Sequence, residues 1–194
     1  MERVFVDANI LFSIILRDLF IELVRAGAIE VIWSEDVQIE WARSAVSNGN
    51  LKPLSQTSVD RQNDCMNKML PDAYLPRSRY EHLIESITGL NDQDDRHVVA
   101  AAIIGNASIL SSNDKKAGFN KVLGQYGITL FTPDDFMIYL INDLDMIDLV
   151  TKAIKRQRSD YTRPLISALD LVDAFSKNGL VEFAKIMHSQ AKYL

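Results

Sequence analysis

Three aspartates stand close together in the middle of the chain, directly before an apolar run over residues 98–104. A helix capped by Asn91 or Asp92 would place Asp95 on the apolar stripe that should face a sheet. Acids in a first turn also stabilise the helix dipole, and that explanation suffices for Asp92 and Asp94. Asp95 is different, because a carboxylate leading an apolar face is a candidate for chemistry.

Three other acids are placed to converge on Asp95. Asp7 directly follows one short apolar run, Asp114 lies just beyond another, and Glu40 lies about a turn and a half into a helix. In an open parallel sheet, sites form at the carboxyl ends of the strands. Spacing alone leaves two alternatives open, since Asp7 could be a buried helix cap and a solvent-facing Glu40 is slightly favoured.

Clustered carboxylates repel one another, so such a site requires a divalent cation. Oxygen ligands suit Mg²⁺ or Mn²⁺. A metal of this kind activates water and stabilises charge on a phosphoryl group. The sequence therefore predicts hydrolysis of a phosphodiester bond.

Strands and helices that position these acids alternate through most of the chain. Predicted strands cover residues 4–6, 29–33, 108–111 and 127–131, and predicted helices cover 10–16, 18–26 up to Gly27, a segment from Ser34, and 58–69. Composition predicts a turn over residues 48–53 and a connection over 71–77. From residue 144 onward the pattern is helical only. We therefore expect an α/β unit with a parallel sheet over residues 1–141 and a small helical extension over residues 142–194.

Composition excludes several classes of protein. The 194 residues hold no apolar run long enough to span a bilayer, and the N-terminus lacks the pattern of a signal peptide. We therefore expect a cytoplasmic protein that does not associate with a membrane. Cys65 is the single cysteine and the three histidines are scattered, which argues against a zinc site. The net charge of -5 argues against broad electrostatic binding to nucleic acid.

Other charged residues have simpler explanations. Thr132, followed by Pro133 and two aspartates, predicts a helix cap. His97 is predicted to face solvent from its helix, and Arg96 to pair with a neighbouring acid, with a phosphate contact as the alternative. The basic residues between Lys152 and Arg163 predict a solvated helix face, with a role in holding RNA as the alternative.

Four segments of the chain together resemble the PIN-domain family. Their order and spacing are similar to those of the VapC-like toxin ribonucleases of bacterial type II toxin-antitoxin pairs, and the helical tail resembles one subgroup. The segments are Val4-Phe5-Val6-Asp7-Ala8-Asn9-Ile10-Leu11, Glu40 in the Ser34-led helix, Asp94-Asp95-Arg96-His97-Val98-Val99-Ala100-Ala101-Ala102, and Ile109-Leu110-Ser111-Ser112-Asn113-Asp114.

The resemblance implies a three-layer α/β/α PIN-like fold and a set of site residues. Asp7, Glu40 and Asp95 match the family's acidic metal ligands, and Asp114 matches a more variable fourth. Two asparagines, Asn9 and Asn113, match polar residues beside the site. The chain departs from the common pattern at residues 111–114, where many members begin with threonine and carry the acid at another offset. The fourth ligand is therefore open, and Asp94 competes with Asp95 for the third.

The resemblance also implies an activity and partners. The expected protein is a Mg²⁺- or Mn²⁺-dependent endoribonuclease, restrained by a cognate antitoxin protein and forming a homodimer. Two alternatives stay open: a PIN nuclease that processes RNA or cleaves DNA without a toxin role, and a non-catalytic interaction protein with a vestigial metal site.

Overall fold

The computed structural model describes residues 1–47 and 53–194, so most of the turn predicted over residues 48–53 lies outside the described residues. The chain forms two compact units that are not consecutive in sequence. We call residues 2–12 and 31–130 the sheet unit, and residues 1, 13–30 and 131–194 the helical unit. The domain boundary predicted at residue 141 stays a prediction.

Among the described residues, five strands form a parallel sheet, which confirms the predicted α/β class. They are β1 (Glu2–Val6), β2 (Ile29–Ser34), β3 (Tyr74–Leu75), β4 (Ile109–Ser111) and β5 (Thr129–Phe131), and their order in the sheet is β3-β2-β1-β4-β5. In the register of β1 and β4, Val6 lies opposite Ser111. The two-residue strand β3 lies in the segment predicted to be a connection. The strand was not predicted because so short a strand has no periodicity to detect.

Ten helices accompany the strands in the described part of the chain. They are α1 (Ala8–Phe12), α2 (Ile14–Ala26), α3 (Glu35–Ser47), α4 (Gln56–Met69), α5 (Glu81–Ile84), α6 (Arg96–Ile104), α7 (Pro133–Asn142), α8 (Ile147–Asp160), α9 (Ala168–Lys177) and α10 (Val181–Gln190). Short 3₁₀ turns cover Pro71–Ala73, Arg77–Arg79, Phe119–Lys121, Leu123–Tyr126 and Ala191–Tyr193. No helix in the described ranges is long and apolar enough to cross a membrane.

The core of the sheet unit is built around β1 and α6. Val4 and Phe5 are fully buried, and so are all five residues of α6 from 98 to 102. Three of those five are alanines, so the helix can lie close to its neighbours. Gly105 extends this close approach, because a Cβ there would lie 2.8 Å from Ile32 Cδ1.

Side-chain amides join α4 to β2 and α3. Asn67 Oδ1 accepts hydrogen bonds from Trp33 Nε1 at 3.1 Å and from Gln38 Nε2 at 2.9 Å. One turn earlier, Asn63 Oδ1 accepts from Trp41 Nε1 at 2.9 Å. Both indoles are buried, so these amides satisfy donors that have no access to water.

The helical unit packs α2 against α8, and α9 against α10. Phe20 stacks on Phe136 with ring centroids 5.8 Å apart, and Phe175 contacts Phe183 at 5.5 Å. α2 ends at Ala26, and Gly27 follows it as the predicted helix-ending residue, with a φ of 83° in the left-handed conformation of a C-cap.

The Thr132 cap of α7 is also confirmed, and Asp134 in the same segment caps a different helix. Thr132 Oγ1 accepts from Asp135 N–H at 3.2 Å. Asp134 instead accepts from Glu182 N–H at 3.0 Å and Phe183 N–H at 2.9 Å, so it caps the first turn of α10.

Candidate functional site

Asp7 directly follows β1, and its carboxylate is buried among three hydrogen-bond donors. The Ala8 N–H donates to Oδ1 at 2.6 Å, while Asn9 Nδ2 and the Ser112 hydroxyl both donate to Oδ2 at 2.5 Å. Burial raises the pKa of the Asp7 carboxyl, although the bonds from Ser112 and Ala8 act in the opposite direction. Asp7 is therefore a carboxylate of fixed orientation at the carboxyl end of the central strand.

Ser112 is a polar centre of this site that the sequence prediction missed. It follows β4 as Asp7 follows β1, and the parallel register makes the two residues neighbours. Besides donating to Asp7, the Ser112 hydroxyl accepts from Asn9 Nδ2 at 3.1 Å and from the Asp114 N–H at 2.9 Å. A hydroxyl after a strand is visible in the sequence, but its partner is visible only once the register is known.

Asp114 and Asn113 lie in the turn that follows Ser112. The carboxylate of Asp114 is exposed, and its Oδ1 accepts from Lys116 N–H at 2.6 Å and Ala117 N–H at 3.1 Å. Asn113 contributes its backbone N–H, which donates to Asn9 Oδ1 at 3.2 Å. One carboxylate oxygen of Asp114 therefore stabilises the turn, and its role as a fourth ligand stays a prediction.

Asp95 immediately precedes α6, so the predicted helix start at Asn91 or Asp92 was wrong. α6 begins at Arg96, and the Asp95 side chain makes no capping hydrogen bond. Asp92 Oδ1 accepts from the Asp94 N–H at 3.0 Å, which closes a local turn that competes with the helix. Contrary to the prediction, Asp92 and Asp94 lie outside the first turn of α6, and the carboxylate of Asp95 is not used for capping.

Asn91 joins the loop before α6 to the segment after β4. Its backbone N–H donates to Ala117 O at 2.8 Å, and its Nδ2 donates to Lys116 O at 2.9 Å. The two segments approach closely at Gly118, which has a φ of 82°, and a Cβ there would lie 2.9 Å from Asn91 Cγ. These contacts hold the loops of Asp95 and Asp114 together.

Glu40 and His97 form a hydrogen-bonded pair, which contradicts the solvent-facing position predicted for His97. His97 Nε2 lies 2.8 Å from Glu40 Oε1, and His97 is only 8% exposed. The solvent-facing orientation predicted for His97 was wrong because α3 and α6 contact each other here, whereas the Glu40 side chain is 39% exposed. Burial acts to lower the pKa of His97, but the hydrogen bond and charge of Glu40 outweigh it, and the pKa is raised.

The acids of the site lie close enough for their charges to raise the pKa of Asp95. The pKa of Asp95 is raised to about 7, and the largest cause is burial. The other causes are the charges of nearby acids, which are Asp7, Asp92, Asp114 and Glu40. The structure thus brings the four predicted acids within electrostatic range of one another, while their individual roles stay predictions.

The donor chemistry of these acids fits a hard divalent cation. Across residues 1–47 and 53–194, no three histidine, cysteine, aspartate or glutamate side chains lie close enough to form a ready-made metal cage. Mg²⁺ does not require one, because it keeps several waters and binds through one or two carboxylates. A loose group of carboxylates that repel one another suits that mode of binding.

Two sets of basic residues were considered for contacts with RNA, Arg96 and the basic residues of α8. Arg96 Nη1 lies 3.0 Å from Glu85 Oε2, and its Nε donates to Gln93 O at 2.9 Å, so the predicted ion pair is confirmed. A contact between Arg96 and a phosphate stays a prediction. The basic residues of α8 belong to the helical unit, and their role toward RNA is likewise untested.

Comparisons with known proteins agree with this architecture. A family model described as the PIN domain matches residues 3–116, and one described as the VapC50 C-terminal domain matches residues 133–189. The chain is 32% identical over 99 residues to a Mycobacterium tuberculosis protein named "Putative ribonuclease VapC50". That match covers 50% of this chain and 56% of the relative, so the chain spans little more than half of that protein's length. No solved structure matches. Since the PIN model covers more than half of the chain, the chain belongs to the PIN-domain family.

Proposed function

We propose that this chain is a Mg²⁺- or Mn²⁺-dependent endoribonuclease that hydrolyses phosphodiester bonds of RNA in the cytoplasm. We further propose that it is the toxin of a type II toxin-antitoxin pair and acts as a homodimer restrained by an antitoxin protein. The relative carries the name of a ribonuclease, which supports the choice of RNA as substrate.

The observation that carries the proposal is the electrostatic state of Asp95. Its carboxyl has a pKa of about 7 because it is partly buried beside other acids. Such an arrangement costs free energy in the absence of a cation, and perturbed groups of this kind concentrate at functional sites. A bound divalent cation would neutralise the repulsion.

Three of the four acids have distinct parts in this proposal. Asp7, fixed by Ser112 and Asn9, presents a carboxylate of defined orientation at the strand end. Glu40 extends from α3 and is hydrogen-bonded to His97. Asp95 presents a carboxylate with no capping role. When bound, the cation supplies an activated water and stabilises charge on the phosphoryl group.

The direct test compares cleavage of RNA by the wild-type chain with cleavage by Asp95→Asn. Cleavage should require Mg²⁺ or Mn²⁺ and stop with EDTA. In Asp95→Asn it should fall by at least about a hundredfold, because the cation loses one negatively charged ligand. Asp64→Asn is the matched control, since Asp64 is an exposed acid on α4. Equal cleavage by wild type and Asp95→Asn would refute the proposed activity.

The toxin role has a separate test. Expression of the chain should arrest growth of a bacterial host, and co-expression of the neighbouring open reading frame should relieve that arrest. Asp95→Asn should be harmless in the same host. A ribonuclease that is active in vitro and has no effect on growth would point to RNA processing instead.

A further inference from the structure

The contact between His97 and Glu40 is unusual because the imidazole has no other polar partner among the residues that the structure describes. His97 is the second residue of α6, its ring is buried, and its Nε2 contacts Glu40 Oε1 at 2.8 Å. Its other nitrogen, Nδ1, is fully buried and has no hydrogen-bond partner in that same part of the chain. Among the described residues, Glu40 is therefore the one hydrogen-bond partner of this ring.

Hydrogen-bond chemistry fixes the direction of this contact. A carboxylate can only accept, so Nε2 carries the proton and donates to Oε1. Burying an imidazole costs free energy unless it is hydrogen-bonded, and here only one of its two nitrogens is. An apolar residue at position 97 would avoid that cost, so the core alone does not explain a histidine here.

The pair also restrains a flexible side chain. Glu40 has several rotatable bonds and its side chain is 39% exposed, so an unrestrained Glu40 would sample several rotamers. His97 lies on α6, whose following residues are fully buried, and therefore offers a rigid donor. The bond to Oε1 leaves the second oxygen, Oε2, for another contact, and the charge of Glu40 already acts on Asp7 and Asp95.

We propose that His97 is a positioning residue that holds Glu40, through the Nε2–H to Oε1 bond, in the orientation that binds the divalent cation. This inference rests on the proposed function and adds to it a residue that would not touch metal or RNA. Groups that orient metal ligands commonly alter metal affinity by about 10–100-fold when they are removed.

The test uses two amides at position 97, with Mn²⁺ affinity measured by calorimetry on the full chain without RNA. In His97→Gln the amide nitrogen reaches the place of Nε2, whereas in His97→Asn the shorter amide reaches only the place of Nδ1. We expect His97→Gln to bind Mn²⁺ within about threefold of wild type and His97→Asn to bind about 10–100-fold more weakly. His97→Leu, which keeps the packing and removes the donor, serves as the second variant and should resemble His97→Asn.

A second comparison separates positioning from general stability. If His97 acts through Glu40, the His97→Asn or His97→Leu change should alter Mn²⁺ affinity by less than about threefold when Glu40→Gln is already present. A full loss in that background, or no loss in either variant alone, overturns the positioning role and leaves the proposed nuclease intact. A wild-type chain that binds no Mn²⁺ overturns both proposals.

Discussion

Asp95 is the residue at which burial and charge oppose ionisation most clearly. Its carboxyl titrates at about 7 in the folded chain, against an ordinary value of 3.8. Between these two values the folded chain binds more protons at Asp95 than the unfolded chain does. The free energy of unfolding of the metal-free protein therefore falls as the pH rises through this window.

This sign leads to a prediction about Asp95→Asn. At pH 8 the ionised Asp95 destabilises the metal-free fold, so the variant should be more stable by about 1–2 kcal/mol, a value discounted because the side chain is partly exposed to solvent. At pH 4 the advantage should vanish. Urea unfolding in EDTA at both pH values measures the difference, with the wild-type chain as the reference at each pH. A variant less stable than wild type at pH 8 would contradict the prediction.

The amide contacts between α4 and its neighbours carry a prediction at the scale of an element. Asn67→Ala removes the acceptor of both Trp33 Nε1 and Gln38 Nε2, and those residues are 1% and 6% exposed. Two buried donors would lose their partner, so we expect a loss of about 2–4 kcal/mol in the free energy of unfolding. Tryptophan fluorescence during urea unfolding reports it directly. Lys68→Ala, at the next and exposed position, should change stability by less than about 0.5 kcal/mol.

A second element-scale prediction concerns the cap of α10. Asp134→Ala leaves the N–H groups of Glu182 and Phe183 without their side-chain acceptor, and Leu180 at the cap position cannot replace it. The loss should be about 1 kcal/mol. Thermal unfolding measures it, with Asp143→Ala, an exposed acid just after α7, as the control. Equal melting temperatures for the two variants would argue against the cap.

At the scale of the whole molecule, cation binding should be coupled to folding. A ligand that binds only the folded state stabilises it by about 2.7 kcal/mol at a concentration of 100 times its Kd. Protons compete for Asp95 below its pKa of about 7, so Mn²⁺ should raise the melting temperature more at pH 8 than at pH 6. An equal rise at both pH values, or an undiminished rise in Asp95→Asn, would contradict this expectation.

Much of the fold was predictable because hydrophobic runs and caps are local signals. The buried strand before Asp7, the left-handed Gly27 and the Thr132 cap were all correctly predicted from a few neighbouring residues. β3 and the start of α6 were not, since a two-residue strand has no period and Asp92 closes a turn of its own.

The site was predictable in part for a different reason. The strand ends brought Asp7 and Asp114 to one edge of the sheet, which follows from parallel topology alone. The partners of the acids were not predictable, because Ser112 depends on the register of β1 and β4, and the Glu40 and His97 pair depends on how α3 meets α6. Helical spacing says which residues share a face and not what that face meets.

The composition of the helical unit bears on how relatives of this chain could exchange parts. Residues 13–30, which include α2, group with residues 131–194 although one hundred residues separate the two segments. Within that unit, Gln157 Nε2 on α8 donates to Ile15 O on α2 at 3.0 Å, and Phe20 stacks on Phe136. A recombination event that exchanged only the C-terminal helices would therefore pair them with a foreign α2. Such a chimera should fold well only if residues 13–30 are inherited together with the tail.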